Sequence, residues 1–219
     1  MPISYRYKII FIHIPKTAGT SIEYMLGTDT LNEFYTKGQY DERLRLLPTN
    51  KFTLEEYTMC ADKNRQHYTY REISKLIGFD TLNTFKKISI VRNPYSRLVS
   101  EYNFRKTLYI PGVTSFSDLV RNKLSLDKIT RNRVYDGHLE TQTSFLVNEQ
   151  GNFNSIDKIY TFENINECVN DVNIITGKHE YPHLKNSNIS NWEQYYTPEL
   201  KELVYNFYKE DFVNFNYSS

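Results

Sequence analysis

A short apolar run, Lys8-Ile-Ile-Phe-Ile-His-Ile14, stops at Pro15 and gives way to Lys16-Thr-Ala-Gly-Thr-Ser21. No other stretch constrains the fold as tightly. The run suits a buried strand, and Thr20 and Ser21 open a helix that reaches Leu26. A strand that feeds through small and hydroxyl-bearing residues into a helix has the layout of an anion-cradling loop. Small side chains let backbone N–H groups approach phosphate oxygens, the helix start adds partial positive charge, and Lys16 adds a full one. Thr17, Thr20 and Ser21 supply hydroxyl donors. A plain surface turn is the competing reading of this segment taken alone.

The order of residues in the loop argues against a nucleoside triphosphate cradle. That pattern, GxxxxGK[ST], needs a Gly-Lys pair with another Gly five residues before that pair. Here Lys16 follows Pro15 and precedes Gly19, and the residue six before Lys16 is Ile10. A metal-holding Asp would also be expected at the end of a later strand. The next strand, Phe85 to Val91, is followed instead by Arg92, which suits direct binding of a second phosphate without metal.

Further along, Lys158 to Phe162 reads as a third strand. Helices start at the capping box Thr69-Tyr-Arg-Glu72, which runs to Gly78, and at Asn93-Pro94, which runs to about Lys106. Others start at Asn164 with Glu167 and at Thr197-Pro198-Glu199, and one more is possible over Thr53 to Ala61. Leu200, Leu203, Val204, Phe207, Tyr208 and Phe212 fall at helical spacing and are expected in the core. Strands alternating with helices predict an α/β fold, with a central, mostly parallel sheet flanked by helices. With no repeat or linker signal, residues 1–219 are expected to form one domain.

Composition narrows the function classes. The 27 Lys and Arg against 26 Asp and Glu leave a net charge of +1, so no whole-protein electrostatic case exists for nucleic acid or anionic lipid. Two cysteines, Cys60 and Cys168, make no disulfide framework and no CxxC zinc pair. No apolar run is long enough to span a bilayer, and the secretory-signal pattern is missing. A cytoplasmic protein is expected. The high aromatic content, with 19 Tyr and 13 Phe, predicts a Tyr/Phe-rich core.

Two motifs together carry a family resemblance. Pro15, Lys16, Thr17, Ala18, Gly19, Thr20 and Ser21 resemble the 5′-phosphosulfate loop of sulfotransferases that use PAPS (3′-phosphoadenosine-5′-phosphosulfate). Arg92-Asn-Pro-Tyr-Ser-Arg-Leu-Val-Ser100 resembles their 3′-phosphate motif, R-[DN]-P-x-x-R-x-x-S. The IPKTAGTS form and the overall order are most similar to the carbohydrate branch that includes heparan sulfate 2-O-sulfotransferase. The resemblance implies a P-loop-like sulfotransferase fold, PAPS as co-substrate, no metal, and in-line transfer of a sulfuryl group to a hydroxyl-bearing acceptor. It implies that Lys16 stabilises or protonates the leaving phosphate and that Arg92 and Ser100 hold the 3′-phosphate. Arg92 offers a planar fork suited to that task on chemical grounds as well. Arg97, on the same helix, reads equally well as a structural residue.

A hydroxyl acceptor calls for a general base. His67, in Gln66-His-Tyr-Thr-Tyr-Arg-Glu72, sits where the resembling branch places its catalytic histidine. His138, in His138-Leu-Glu-Thr-Gln142, is the rival, and the resembling branch's similar His/Gln stretch near the acceptor implies His138 and Gln142 as acceptor contacts. His13 reads as structural. Tyr181-Pro-His-Leu-Lys-Asn-Ser187 resembles the family's closing loop, which would give Lys185, Asn186 and Ser187 as further donor contacts. Unlike the Golgi members of the branch, the chain begins its first strand within ten residues of Met1, so a compact enzyme without anchor or stem is expected. The acceptor (glycan, glycolipid or metabolite), O- against N-transfer and the oligomeric state stay open. So do two other classes, a catalytically inactive nucleotide-binding protein and a Mg-dependent P-loop kinase.

Overall fold

The computed structural model describes residues 3–26, 67–107, 114–124, 136–177 and 191–219. The expected helix over 53–61, Cys60, and the expected contacts Lys185, Asn186 and Ser187 lie outside the described residues. Among the described residues, four strands form one sheet in the order β1 (Ile3–Ser4), β2 (Ile9–Ile12), β3 (Lys86–Val91) and β4 (Lys158–Thr161). β1 is antiparallel to β2, with Ile3 opposite Ile10. β2, β3 and β4 run parallel, with Phe11 opposite Ile88 and Ile90 opposite Tyr160. The mostly parallel α/β sheet is as expected. The two-residue edge strand β1 was not, because so short a run carries no periodicity to read.

Helices cover both faces, which explains why β2 is apolar at every position. Ile10 and Ile12 point to one side, with Tyr70 and Ile73 of α2 (Tyr70–Ile77), Leu82 of α3 (Phe79–Asn83) and Phe145 and Leu146 of α6 (Gln142–Leu146). Ile9 and Phe11 point to the other, with Ile22 and Met25 of α1 (Gly19–Met25) and with Cys168 and Val172 of α7 (Ile165–Thr176). The alternation is that of any pleated strand.

Local signals set most helix starts. The Thr69 hydroxyl accepts from Glu72 N–H while the Glu72 carboxylate accepts from Thr69 N–H, so the capping box forms as expected. Asn93 Oδ1 accepts from the Tyr95 and Ser96 amides and opens α4 (Pro94–Thr107). Thr197 caps α8 (Pro198–Phe207) through Leu200 N–H. Asn164 departs from expectation. Its side-chain amide donates to the Glu167 carboxylate at 3.2 Å and makes no cap hydrogen bond to the backbone.

The C-terminal stripe is narrower than its sequence suggests. Leu200, Val204, Tyr208 and Phe212 are buried, each four residues from the last, whereas Phe207 is half-buried and Leu203 is 41% exposed. The helix also breaks at Tyr208 and resumes as α9 (Lys209–Asn214). This stripe packs with Tyr95, Leu98 and Val99 of α4 and with Leu119 and Val120 of α5 (Phe116–Lys123). Trp192 stacks on Tyr95 at 5.5 Å, a packing role. Among the described residues no helix is long and apolar enough to cross a membrane.

Asp211 ties the C-terminus to the rest. Fully buried, it accepts from the amides of Gln142 and Thr143, both at 2.8 Å, and from the Thr143 hydroxyl at 2.9 Å. Asp211→Ala leaves those donors buried without partners and should cost about 3 kcal/mol of stability. Urea denaturation checks this. Unchanged stability would mean that the helix start is held by other contacts.

Candidate active site

β2 and β3 are neighbours in a parallel sheet, so the loops leaving their carboxyl ends emerge side by side, the usual place for a ligand in an α/β fold. The first loop is wound tightly. Lys16 and Ala18 both have left-handed backbones, with φ of 69° and 66°, and Ala18 rather than Thr20 immediately precedes the helix. Such conformations are strained for non-glycine residues and gather at functional sites. Alternating hand along a loop turns successive N–H groups to one side and makes an anion-binding concavity. The Thr17 hydroxyl is used internally, donating to the Ile14 carbonyl at 2.9 Å. Gly19 is required by close approach. A Cβ there would lie 2.2 Å from Cδ2 of His13.

The two motifs meet. The Arg92 side chain, 76 residues along from Lys16, donates from Nη1 to the Lys16 carbonyl at 3.2 Å and from Nε to Ser96 Oγ at 2.9 Å. The Phe162 ring supports the guanidinium at 4.0 Å. Burial pushes the Arg92 pKa down to about 10, with nearby Glu163 opposing the fall. Ser100 is buried two turns further along α4.

Beside the loop stands a column of rings. Lys16 Nζ lies 4.2 Å over the Phe104 ring, and Phe104 stacks on His138 at 5.6 Å. His138 meets His67 edge to face at 4.9 Å, and His67 meets His13 likewise at 4.6 Å. His13 Nδ1 lies 3.0 Å from Oε1 of the buried Glu23. His67 Nδ1 donates to the His13 carbonyl at 2.9 Å, which leaves its Nε2 with the lone pair. Burial, followed by the charges of His13 and His138, drives the His67 pKa well below 6.5, only partly offset by the carbonyl bond. Its ring is therefore neutral at physiological pH.

The remaining expected residues divide. Arg97 is structural: buried, it donates to the carbonyls of Pro15, His138 and Glu140. Gln142, expected at the acceptor, is fully buried, and its amide bonds to the backbone N–H and C=O of Arg92 at 2.8 Å each. Its side chain thus fixes the end of β3. Sequence reasoning missed Phe104, Phe162, Glu101 and Arg105. The spacing by four of Arg97, Glu101 and Arg105 along one helix face was a readable signal for the last two.

Glu101 joins its two neighbours. Oε1 accepts from Arg105 Nε at 2.7 Å, and Oε2 lies 2.9 Å from His138 Nδ1. Burial alone would raise the Glu101 pKa, but the His138 hydrogen bond and the charges of His138, Arg105 and Lys16 outweigh it and hold the pKa below its ordinary value. Among the described residues, no group of three or more His, Cys, Asp or Glu is placed to hold a metal ion.

The depressed His67 pKa has a measurable consequence. Below pH 6.5 the unfolded chain takes up a proton that the native ring refuses, so this residue costs stability as pH falls. His67→Asn should therefore lose less stability than the wild type between pH 7 and pH 5, measured by urea denaturation. Equal losses would contradict the buried, neutral ring.

A family model described as the sulfotransferase family matches residues 1–218. No curated protein and no solved structure gives a match. With nearly its whole length covered, the chain belongs to the sulfotransferase family, whose chemistry is sulfuryl transfer.

Proposed function

We propose that this protein moves a sulfuryl group from PAPS to a hydroxyl of a carbohydrate or similarly hydroxylated small molecule. The observation that carries the reading is the contact between Arg92 and the Lys16 carbonyl, with two histidines alongside. A donor with phosphates at both ends of a nucleoside needs two cationic cradles a fixed distance apart, and two sequence-distant loops held together provide them. The strained backbone from Lys16 to Ala18 suits a loop that must admit a phosphate closely. The IPKTAGTS form and the setting of His67 favour the heparan sulfate 2-O-sulfotransferase-like branch.

When bound, PAPS supplies an activated SO₃ unit on a phosphate leaving group. Lys16 neutralises charge developing on that phosphate, and the ring of Phe104 keeps the ammonium in place beforehand. Arg92, stiffened by Ser96 and Phe162, holds the second phosphate with Ser100. Lys185, Asn186 and Ser187 add donor contacts. One of the two histidines, His67 or His138, accepts the proton of the acceptor hydroxyl. Because the Gln142 amide is already engaged, recognition of the acceptor falls to the His138 side of that segment.

Labelled PAPS incubated with pooled mono- and oligosaccharide acceptors tests the reading. Transfer of label to an acceptor is expected without added metal, and failure across sugars and simple hydroxylated metabolites would oppose it. Lys16→Ala should lower kcat by about 10²–10³. Arg92→Ala should instead act chiefly on the KM for PAPS. Exchange of these two phenotypes would mean that the loops have been assigned to the wrong ends of the donor.

A further inference from the structure

The two histidines differ in kind. His67 donates Nδ1–H to a neutral carbonyl, and the charged or titratable groups that act on it are His13, His138 and Lys16. His138 has a carboxylate. Its Nδ1 lies 2.9 Å from Glu101 Oε2, and the other oxygen of Glu101 takes the Arg105 Nε–H at 2.7 Å. The Glu101 and Arg105 side chains are almost fully buried, at 1% and 2% exposure. Phe104 stacks on the His138 ring, and Arg97 holds the His138 carbonyl at 2.9 Å, so both ring and backbone are fixed. An ionised carboxylate has no proton to give. Nδ1 of His138 must then be the donor, leaving the lone pair on Nε2.

We propose that Glu101, clamped by Arg105, is a positioning residue that makes His138 the proton acceptor of the transfer. This rests on the function proposed above. In the step, the acceptor oxygen forms the new O–S bond. The S–O bond to the donor phosphate breaks with its electron pair staying on the phosphate, and the hydroxyl proton passes to His138 Nε2. The imidazolium so formed lies against a fixed negative charge, which favours it. The same charge on His67 would form in a dry setting beside two other imidazoles. His67 accordingly serves as a neutral neighbour that buttresses the His138 ring.

Arg105 makes this testable. It can only donate, so in Glu101→Gln the new carbonyl oxygen must face Arg105 and the amide NH₂ must face His138. Nδ1 then has to accept, and the proton moves to Nε2, the atom that needs a lone pair. The side-chain shape and both hydrogen bonds survive, while the tautomer reverses. The expected result is a fall in kcat of about 10³–10⁴ with unchanged affinity for adenosine 3′,5′-bisphosphate. Nitrogen-15 spectra should show neutral His138 with its proton on Nδ1 in the wild type and on Nε2 in the variant. Glu101→Asp, which keeps the charge, should recover part of the rate.

Wild-type kcat in Glu101→Gln overturns the proposal, as does a slow variant whose tautomer has not changed. Should the variant fail to fold, the wild-type spectrum decides alone, and a proton on Nε2 of neutral His138 overturns the proposal. A wild-type protein that binds no bisphosphate and transfers no sulfuryl group overturns the proposed function, and this inference with it. Active wild type beside an equally active Glu101→Gln overturns only the role of Glu101.

Discussion

The buried guanidinium of Arg97 holds the site together. From α4 it reaches the Pro15 carbonyl at the start of the Lys16 loop and the carbonyls of His138 and Glu140. Three sequence-distant pieces therefore converge on one planar group with a fixed fork of donors. A lysine has neither the reach in two directions nor the geometry. Tyr208 lies under the same guanidinium at 5.7 Å, and its hydroxyl donates to the Leu139 carbonyl at 2.7 Å. The C-terminal helices thus support the His138 segment from behind.

Around this anchor the parallel sheet does the coarse placement. β2 and β3 deliver Lys16 and Arg92 to one edge, and Gln142 locks the end of β3 through the Arg92 backbone. Asp211 holds Gln142 in turn. A chain of polar contacts therefore runs from the C-terminal helix to the backbone of Arg92, with each buried group satisfied by the next. Electrostatics then separates the histidines. His67 is kept neutral by burial and by neighbouring imidazoles, while His138 is given a counter-ion in Glu101. Pairs of like groups in unlike surroundings are how one site obtains two chemical roles.

Much of this was legible in the sequence because the signals were local. The strand–loop–helix pattern, the capping box at Thr69, the Asn93-Pro94 start and the Thr197 cap each depend on a few adjacent residues, and each appears in the structure. What escaped was non-local. Phe162 looked like scaffold, and nothing nearby in sequence announces that it lies under Arg92. Gln142 was expected at the acceptor because the resembling branch has a similar His/Gln stretch there, yet its partner is backbone fifty residues earlier. Asn164 had a capping residue's identity, but its side chain turned to Glu167. Leu203 was given to the core by helical spacing alone, and an apolar stripe four residues in period leaves it on the exposed flank.

The central claim is that the Lys16 loop and Arg92 form one binding site for a nucleoside with phosphates at both its 5′ and 3′ positions. Calorimetric titration of the wild-type protein with adenosine 3′,5′-bisphosphate, beside ATP with and without Mg²⁺, addresses it without knowledge of the acceptor. The account predicts tight, metal-independent binding of the bisphosphate and weaker binding of ATP. Absence of bisphosphate binding together with Mg²⁺-dependent binding of ATP would contradict it.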